Sequence, residues 1–172
     1  MSTHDSLFSP SNAACEIARL SRDARFDGVF FTAVLSTRIY CRPVCPARPP
    51  KAENVVYYPS AAAAQAQGFR PCLRCRPELA PGNQLWLHGE HLVSRALKLI
   101  NEGYLADHSL EALAERLHIG ARQLRRLFVQ HLGAPPMAVH ATQRLLFAKQ
   151  LLTETDLSIT EVAMASGFRS LR

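Results

Sequence analysis

Thr37-Arg38-Ile39-Tyr40-Cys41-Arg42-Pro43-Val44-Cys45, answered further on by Gly68-Phe69-Arg70-Pro71-Cys72-Leu73-Arg74-Cys75-Arg76, decides how this 172-residue chain folds. Its cysteines fall in two pairs, C-x3-C and C-x2-C. A short turn between two cysteines lets both thiolates reach one metal. Two such pairs complete a tetrahedral all-sulfur set, which zinc favours. The 26 residues between the pairs make a long loop, and zinc ribbons and knuckles tolerate long loops. One zinc ion per chain, held by Cys41, Cys45, Cys72 and Cys75, is the expectation.

The surroundings matter as much as the spacing. From Arg38 to Arg76 stand seven basic residues, Arg38, Arg42, Arg48, Lys51, Arg70, Arg74 and Arg76, against one acid, Glu53. That local excess of +6 equals the formal charge of the whole chain. Zinc with four thiolates carries a charge of about −2. One small module thus joins an anionic sulfur cluster to an arginine-rich surface, and arginine suits bidentate phosphate recognition.

Composition bounds the rest. With 48% hydrophobic and 20% charged residues the chain is ordinary globular material, long enough for one domain or two small ones. Its basic balance favours a polyanionic partner, nucleic acid before a membrane surface. No apolar run approaches the roughly 18 residues of a membrane span. Met1-Ser2-Thr3-His4-Asp5 lacks the basic and apolar regions of an export signal. A cytosolic setting keeps thiols reduced, which favours metal over disulfide for the paired cysteines. The fifth cysteine, Cys15, falls in a helical stretch and reads as a small buried apolar residue.

In chain order, residues 1–11 form a loose leader. Ser11 or Asn12 caps a first helix running to about Arg22. Val29 to Ser36, β-branched and aromatic, reads as a buried strand. Pro43, Pro46, Pro49 and Pro50 make 43–50 a stiff exposed loop. Val55 to Tyr58 is a second strand. Ser60 caps an alanine-rich helix over 61–67, ended by Gly68. Pro77, Pro81 and Gly82 mark a linker, so the expected domains are residues 1–82 and 83–172.

Beyond the linker the texture is helical. An amphipathic helix spans Leu85 to Ile100. A helix from Ser109, the turn His118-Ile119-Gly120 and a helix from Ala121 to Leu132 together describe a helix-turn-helix. A long helix follows from Met137 to about Leu152. Ser158-Ile159-Thr160-Glu161-Val162-Ala163 then repeats the pattern of Ser109-Leu110-Glu111-Ala112-Leu113-Ala114. The chain ends at Arg172, where the reading helix of this second unit begins. From Arg116 to Lys149 there are six basic residues and no acid. Arg122, Arg125 and Arg126 among them face away from the apolar stripe of Leu124, Leu127, Phe128 and Leu132. They are the expected DNA contacts of a helix placed in the major groove. The bland alternative is a solvated face in a bundle. Trp86, Met137 and Met164 read as packing residues. The expected fold is α+β: a four-cysteine zinc domain with a short sheet and helices, then an all-α helix-turn-helix domain with a truncated second unit.

The cysteine block, with Phe30 to Val34, Arg48 and Glu53-Asn54-Val55, resembles the zinc domain of the Ada family. Residues 85–172 resemble the AraC-type paired helix-turn-helix that follows it there. The resemblance implies single-turnover repair: a methyl group passes irreversibly from a DNA methylphosphotriester to the first cysteine of the C-x3-C pair, Cys41. It implies phosphate contacts at Thr37, Arg48 and Arg70, and departs from the family where Arg38 stands at a position often glycine and where Pro46 replaces an arginine of some members. An activator of a DNA alkylation response follows from it, a monomer in the bacterial cytosol and at the nucleoid, with double-stranded DNA and RNA polymerase as partners.

The switch has its own physical account. Methylating Cys41 turns an anionic thiolate into a neutral thioether and takes the site from about −2 to about −1. One negative charge removed at ~6–8 Å from a phosphate is worth about 1–3 kcal/mol at an effective dielectric of ~20, roughly ten- to a hundredfold in affinity. Two alternatives stand beside this reading: a transcription regulator with a purely structural zinc, and the leading domains of a fused 3-methyladenine DNA glycosylase.

Overall fold

The computed structural model describes residues 10–81 and 91–168. Helix α1 spans Asn12–Ser21, and the Ser11 hydroxyl caps it by accepting from the Ala14 N–H at 3.2 Å. Strand β1 is Phe31–Val34, shorter than the run of apolar residues that announces it. A tight turn through Leu35 to Arg38 returns the chain as β2, Ile39–Cys41. Strand β3 is Val55–Tyr58, helix α2 is Ala61–Ala66, and β4 is the two-residue Arg70–Pro71. The sheet order is β3-β1-β2-β4, antiparallel except for the β2–β4 pair.

Side-chain alternation gives the two faces of this sheet different tasks. Phe31, Ala33 and Tyr40 turn to α2 and pack with Ala64 and Phe69. The opposite face carries Thr32, Val34, Ile39 and Cys41, which line one cavity. Beside it, α1 lays Cys15 and Ala18 against Phe30. Cys15 is 2% exposed and burial pushes its thiol up to about 12, as a small apolar filler requires.

The turn before β2 explains an oddity of the sequence. Arg38 has φ +56, a left-handed conformation that glycine adopts without strain. Its side chain lies over the Phe69 ring, 4.2 Å from the centroid, and donates to the Gln67 carbonyl. The ring and carbonyl contacts hold an arginine where the backbone favours glycine.

The second half is helical. Helix α3 is His91–Asn101, α4 is Tyr104–Asp107, α5 is Leu110–Arg116 and α6 is Ala121–Leu132. The long α7 runs Pro136–Glu154 and α8 is Ile159–Ala165. Ser109 caps α5 by accepting from Ala112 N–H at 3.1 Å, and His118 takes the left-handed position in the turn to α6. The α8 start carries a full capping box, Ser158 with Glu161, which α5 lacks. Leu113, Leu124, Phe128, Val93 and Ile100 form the core. Met137 and Met164, expected to pack, are instead exposed at 49% and 72%. The start of the amphipathic helix at Leu85, together with Trp86 and the end of the second repeat, lies outside the described residues.

The two halves dock on each other. The segment expected as a linker begins with a 3-10 turn, Pro77–Leu79, whose Pro77 is buried and which lies against α7. Gly133, at φ +68, lets α2 approach: a Cβ there would stand 3.0 Å from Ala63 Cβ and 3.2 Å from Pro59 Cγ. Ser60 serves both halves, since its hydroxyl caps α2 through Ala63 N–H and donates to the Leu132 carbonyl.

Candidate metal centre and DNA-facing surface

Four sulfurs meet at one end of the sheet. Cys41 is the last residue of β2, Cys45 follows in the proline-rich loop, and Cys72 and Cys75 come from the knuckle after β4. Their Sγ atoms all lie within 4.8 Å of one another. A tetrahedral zinc with bonds of about 2.3 Å sets its sulfurs about 3.8 Å apart, inside that spread. Among the described residues no other group of His, Cys, Asp or Glu converges in this way. No helix of the described residues is long and apolar enough to cross a membrane.

Backbone amides hold three of the four sulfurs. Arg42 N–H donates to Cys75 Sγ and Arg74 N–H to Cys72 Sγ, each at 3.3 Å. The Ala47 backbone donates to Cys45. Among the described residues no N–H donates to Cys41. Without a cation the set shares protons: hydrogen bonds from Cys41 and Cys75 hold Cys45 down to about 2, while Cys45 and Cys75 together with burial push Cys41 far above the ordinary thiol range. Four thiols packed this closely cannot ionise together unless a cation joins them, which fits a resident zinc ion.

The cysteines differ in exposure. Cys72 and Cys75 are buried at 8% and 6%, whereas Cys41 and Cys45 are half-buried. Cys41 lines a cavity of about 320 Å³ together with Thr32, Thr37, Arg19 and Arg48. Thr37 and Arg48 thus line the same cavity as the Cys41 sulfur. Arg70 is exposed on β4, in register with Ile39, and does not line this cavity.

The cation count of the sequence overstates the free charge. Arg42 forms a bidentate pair with Asp27 and also donates to the Cys75 carbonyl at 3.1 Å. Arg76 pairs with Glu78 at 3.1 Å and Glu154 at 2.6 Å. Arg38 is spent on Phe69. Arg42 and Arg76 brace the site from within, Arg38 stays exposed over the Phe69 ring, and Arg48, Arg70 and Arg74 are the other exposed arginines around it. The signal missed was the acid partner: Asp27, Glu78 and Glu154 lie outside or at the edge of the counted stretch.

The α6 face keeps its cations outward. Arg122, Arg125 and Arg126 are exposed, and Arg125 leans on Glu111 of α5 at 3.0 Å. Others in that basic block are tied up by the protein itself: Arg144 donates to the Ser166 and Gly167 carbonyls, and Lys149 pairs with the buried Glu78.

Comparison with known proteins places this arrangement. The family described as the metal binding domain of Ada matches residues 14–78, and a helix-turn-helix domain family matches residues 113–172. A "Probable bifunctional transcriptional activator/DNA repair enzyme AlkA" of Mycobacterium tuberculosis is 47% identical over 92% of this chain and 32% of its own length. The Escherichia coli "Bifunctional transcriptional activator/DNA repair enzyme Ada" is 37% identical over 87% of this chain. This chain spans 40% of that protein. The similarly described AdaA of Bacillus subtilis is 32% identical over 87% of this chain and 69% of its own length. The chain therefore spans about a third to two thirds of these relatives. With the metal binding domain of Ada matched over residues 14–78 and AdaA matched at 32% identity over 69% of its own length, the chain belongs to the Ada family.

Proposed function

We propose that this chain repairs alkylated DNA by taking a methyl group on Cys41, once and irreversibly, and that the methylated protein is a transcription activator. Residues 1–82 act as the acceptor unit and residues 83–172 as the reader of a promoter, where an activator engages RNA polymerase. The observation that carries this is the singular position of Cys41. It is half-buried on a cavity shared with Thr37 and Arg48, and among the described residues its sulfur alone of the four receives no backbone N–H. An amide bonded to a thiolate draws off the charge that makes it a nucleophile. Cys45 shares the cavity but carries such a bond.

Cys41, Cys45, Cys72 and Cys75 would hold the zinc ion, which when bound keeps the thiols deprotonated at neutral pH. The Cys41 sulfur lone pair forms the S–C bond to the methyl carbon. The C–O bond breaks, and its electron pair leaves with the phosphate oxygen as a diester anion. No proton moves. Arg48 and the Thr37 hydroxyl, which line the same cavity, would hold the phosphate and meet that emerging charge. A neutral triester is the donor because an anionic diester would repel the thiolate cluster. The relatives' description as bifunctional activators and repair enzymes agrees with this reading.

The test is stoichiometric. Zinc-loaded protein mixed with DNA bearing labelled methylphosphotriesters is expected to take up one methyl per chain and stop. Its DNA affinity is then expected to rise roughly ten- to a hundredfold at low salt. No uptake, with DNA binding insensitive to alkylation, leaves only a regulator with a structural metal.

A further inference from the structure

Thr32 is 4% exposed, and its hydroxyl has no hydrogen-bond partner among the described residues. A buried hydroxyl without a partner is costly and calls for an explanation. Register supplies one. Thr32 on β1 pairs with Cys41 on β2. Antiparallel partners project from the same face with Cβ atoms about 4.5–5.5 Å apart. Both residues line the cavity that also holds Thr37 and Arg48.

Cys41 has the complementary deficit. Three sulfurs of the cluster receive backbone donors, from Arg42, Arg74 and Ala47, and Cys41 receives none among the described residues. The unmet donor and the sulfur without a backbone N–H therefore occupy partner positions on one face of a strand pair, with no hydrogen bond between them as they stand. We infer that the Thr32 hydroxyl donates to the Cys41 sulfur when that sulfur is a thiolate, making Thr32 a positioning residue that restrains its reactivity. The inference rests on the reading of Cys41 as the methyl acceptor.

The hydroxyl hydrogen turns freely, and a thiolate is a far better acceptor than a thiol or a thioether. The bond therefore belongs to the zinc-loaded, unmethylated state. It fixes the direction of the sulfur and withdraws part of the charge that must attack. Methylation leaves a neutral thioether and releases the hydroxyl. A threonine at this place also suits a strand by its β-branch alone, a role in which the hydroxyl is incidental.

Thr32→Val separates the two roles, because it keeps the branch and removes the donor. Methyl iodide is the probe: the S–C bond forms, the C–I bond breaks and iodide leaves, with no DNA contact involved. Zinc-loaded Thr32→Val is expected to methylate on Cys41 about three- to tenfold faster than wild type, as loss of part of a charge-assisted hydrogen bond in the transition state requires. Thr32→Ser, which keeps the donor, is expected to stay near the wild-type rate. With Co2+ in place of zinc, the sulfur-to-metal charge-transfer band is expected to shift in Thr32→Val and not in Thr32→Ser, a readout that needs no reaction. An unchanged methylation rate or an unshifted band in Thr32→Val overturns the inference. If wild-type protein takes no methyl from methylphosphotriester DNA, the proposed function fails instead. If it does, and Thr32→Val behaves as wild type, only the role of Thr32 falls.

Discussion

Thr142 on α7 donates a 2.9 Å hydrogen bond to the side-chain oxygen of Gln65 on α2. The same Gln65 donates through its amide nitrogen, also at 2.9 Å, to the hydroxyl of Tyr40. Tyr40 is fully buried and precedes Cys41. A short chain of side chains thus ties the strand that ends at the sulfur to the long helix of the other half.

Tyr40→Phe removes the first link while leaving the ring against Phe31, 5.7 Å between centroids. A loss of about 0.5–1.5 kcal/mol is expected, and a similar loss for Thr142→Ala. Because both bonds run through one amide, the double variant should lose less than the two single changes together. Urea unfolding of the three variants measures this, and strict additivity would show that Gln65 does not couple the halves.

Glu78 is the charged counterpart of that tie. Its side chain is 2% exposed and pairs with Lys149 of α7, itself 12% exposed, and with Arg76. Burial pushes the Glu78 carboxyl up, but hydrogen bonds from Lys149, its own backbone and Arg76 pull it further down, below the usual 4.5. A folded-state value below the unfolded one adds stability that is complete above the unfolded value and fades as pH falls through the folded one. Acid is therefore expected to weaken the wild type below about pH 4.5, more steeply than it weakens Glu78→Gln. At neutral pH Glu78→Gln should cost about 2–3 kcal/mol by leaving a buried ammonium unpaired, and Lys149→Met in the same chain should recover part of it. Thermal melts across pH read both effects.

Arg38 tests the cost of a left-handed arginine. Arg38→Ala keeps the strained φ of +56 and loses the stacking on Phe69. Arg38→Gly loses the stacking but relieves the backbone. Glycine is expected to be the milder change by about 1 kcal/mol, the reverse of the usual order, as denaturant midpoints would show.

The exposed arginines of α6 should behave as phosphate contacts. Arg122→Ala and Arg126→Ala are each expected to weaken DNA binding and to lower the slope of log affinity against log salt by about one. Arg144→Ala, whose guanidinium is tied to the Ser166 and Gly167 carbonyls, should leave that slope unchanged and loosen α8 instead.

The parts of this molecule that were legible in the sequence are those set by short-range chemistry. The cysteine spacings announced the metal set because both thiolates of a pair come from one turn. Ser11, Ser60 and Ser109 announced helix starts because a cap acts on the next turn. Strands β2 and β4, three and two residues long, carry no period of their own: β2 exists through the tight turn that pairs it with β1, and β4 through pairing Arg70 with the distant Ile39. Pro77 read as the start of a linker because its packing partner lies far along the chain on α7. Charge counting found the basic stretch but not Asp27 or Glu154, which take Arg42 and Arg76 out of the surface. Thr32 was illegible for the same reason: only register sets it against Cys41.

The central claim is that one particular sulfur receives the methyl group, and the direct test is where that group lies. Zinc-loaded protein is reacted with methylphosphotriester DNA, digested, and its cysteine peptides are sequenced by mass spectrometry. The account predicts a single methyl on Cys41, with Cys45, Cys72, Cys75 and Cys15 unmodified and no transfer to the Cys41→Ser variant. A methyl on another cysteine, or none on zinc-loaded protein, would contradict it.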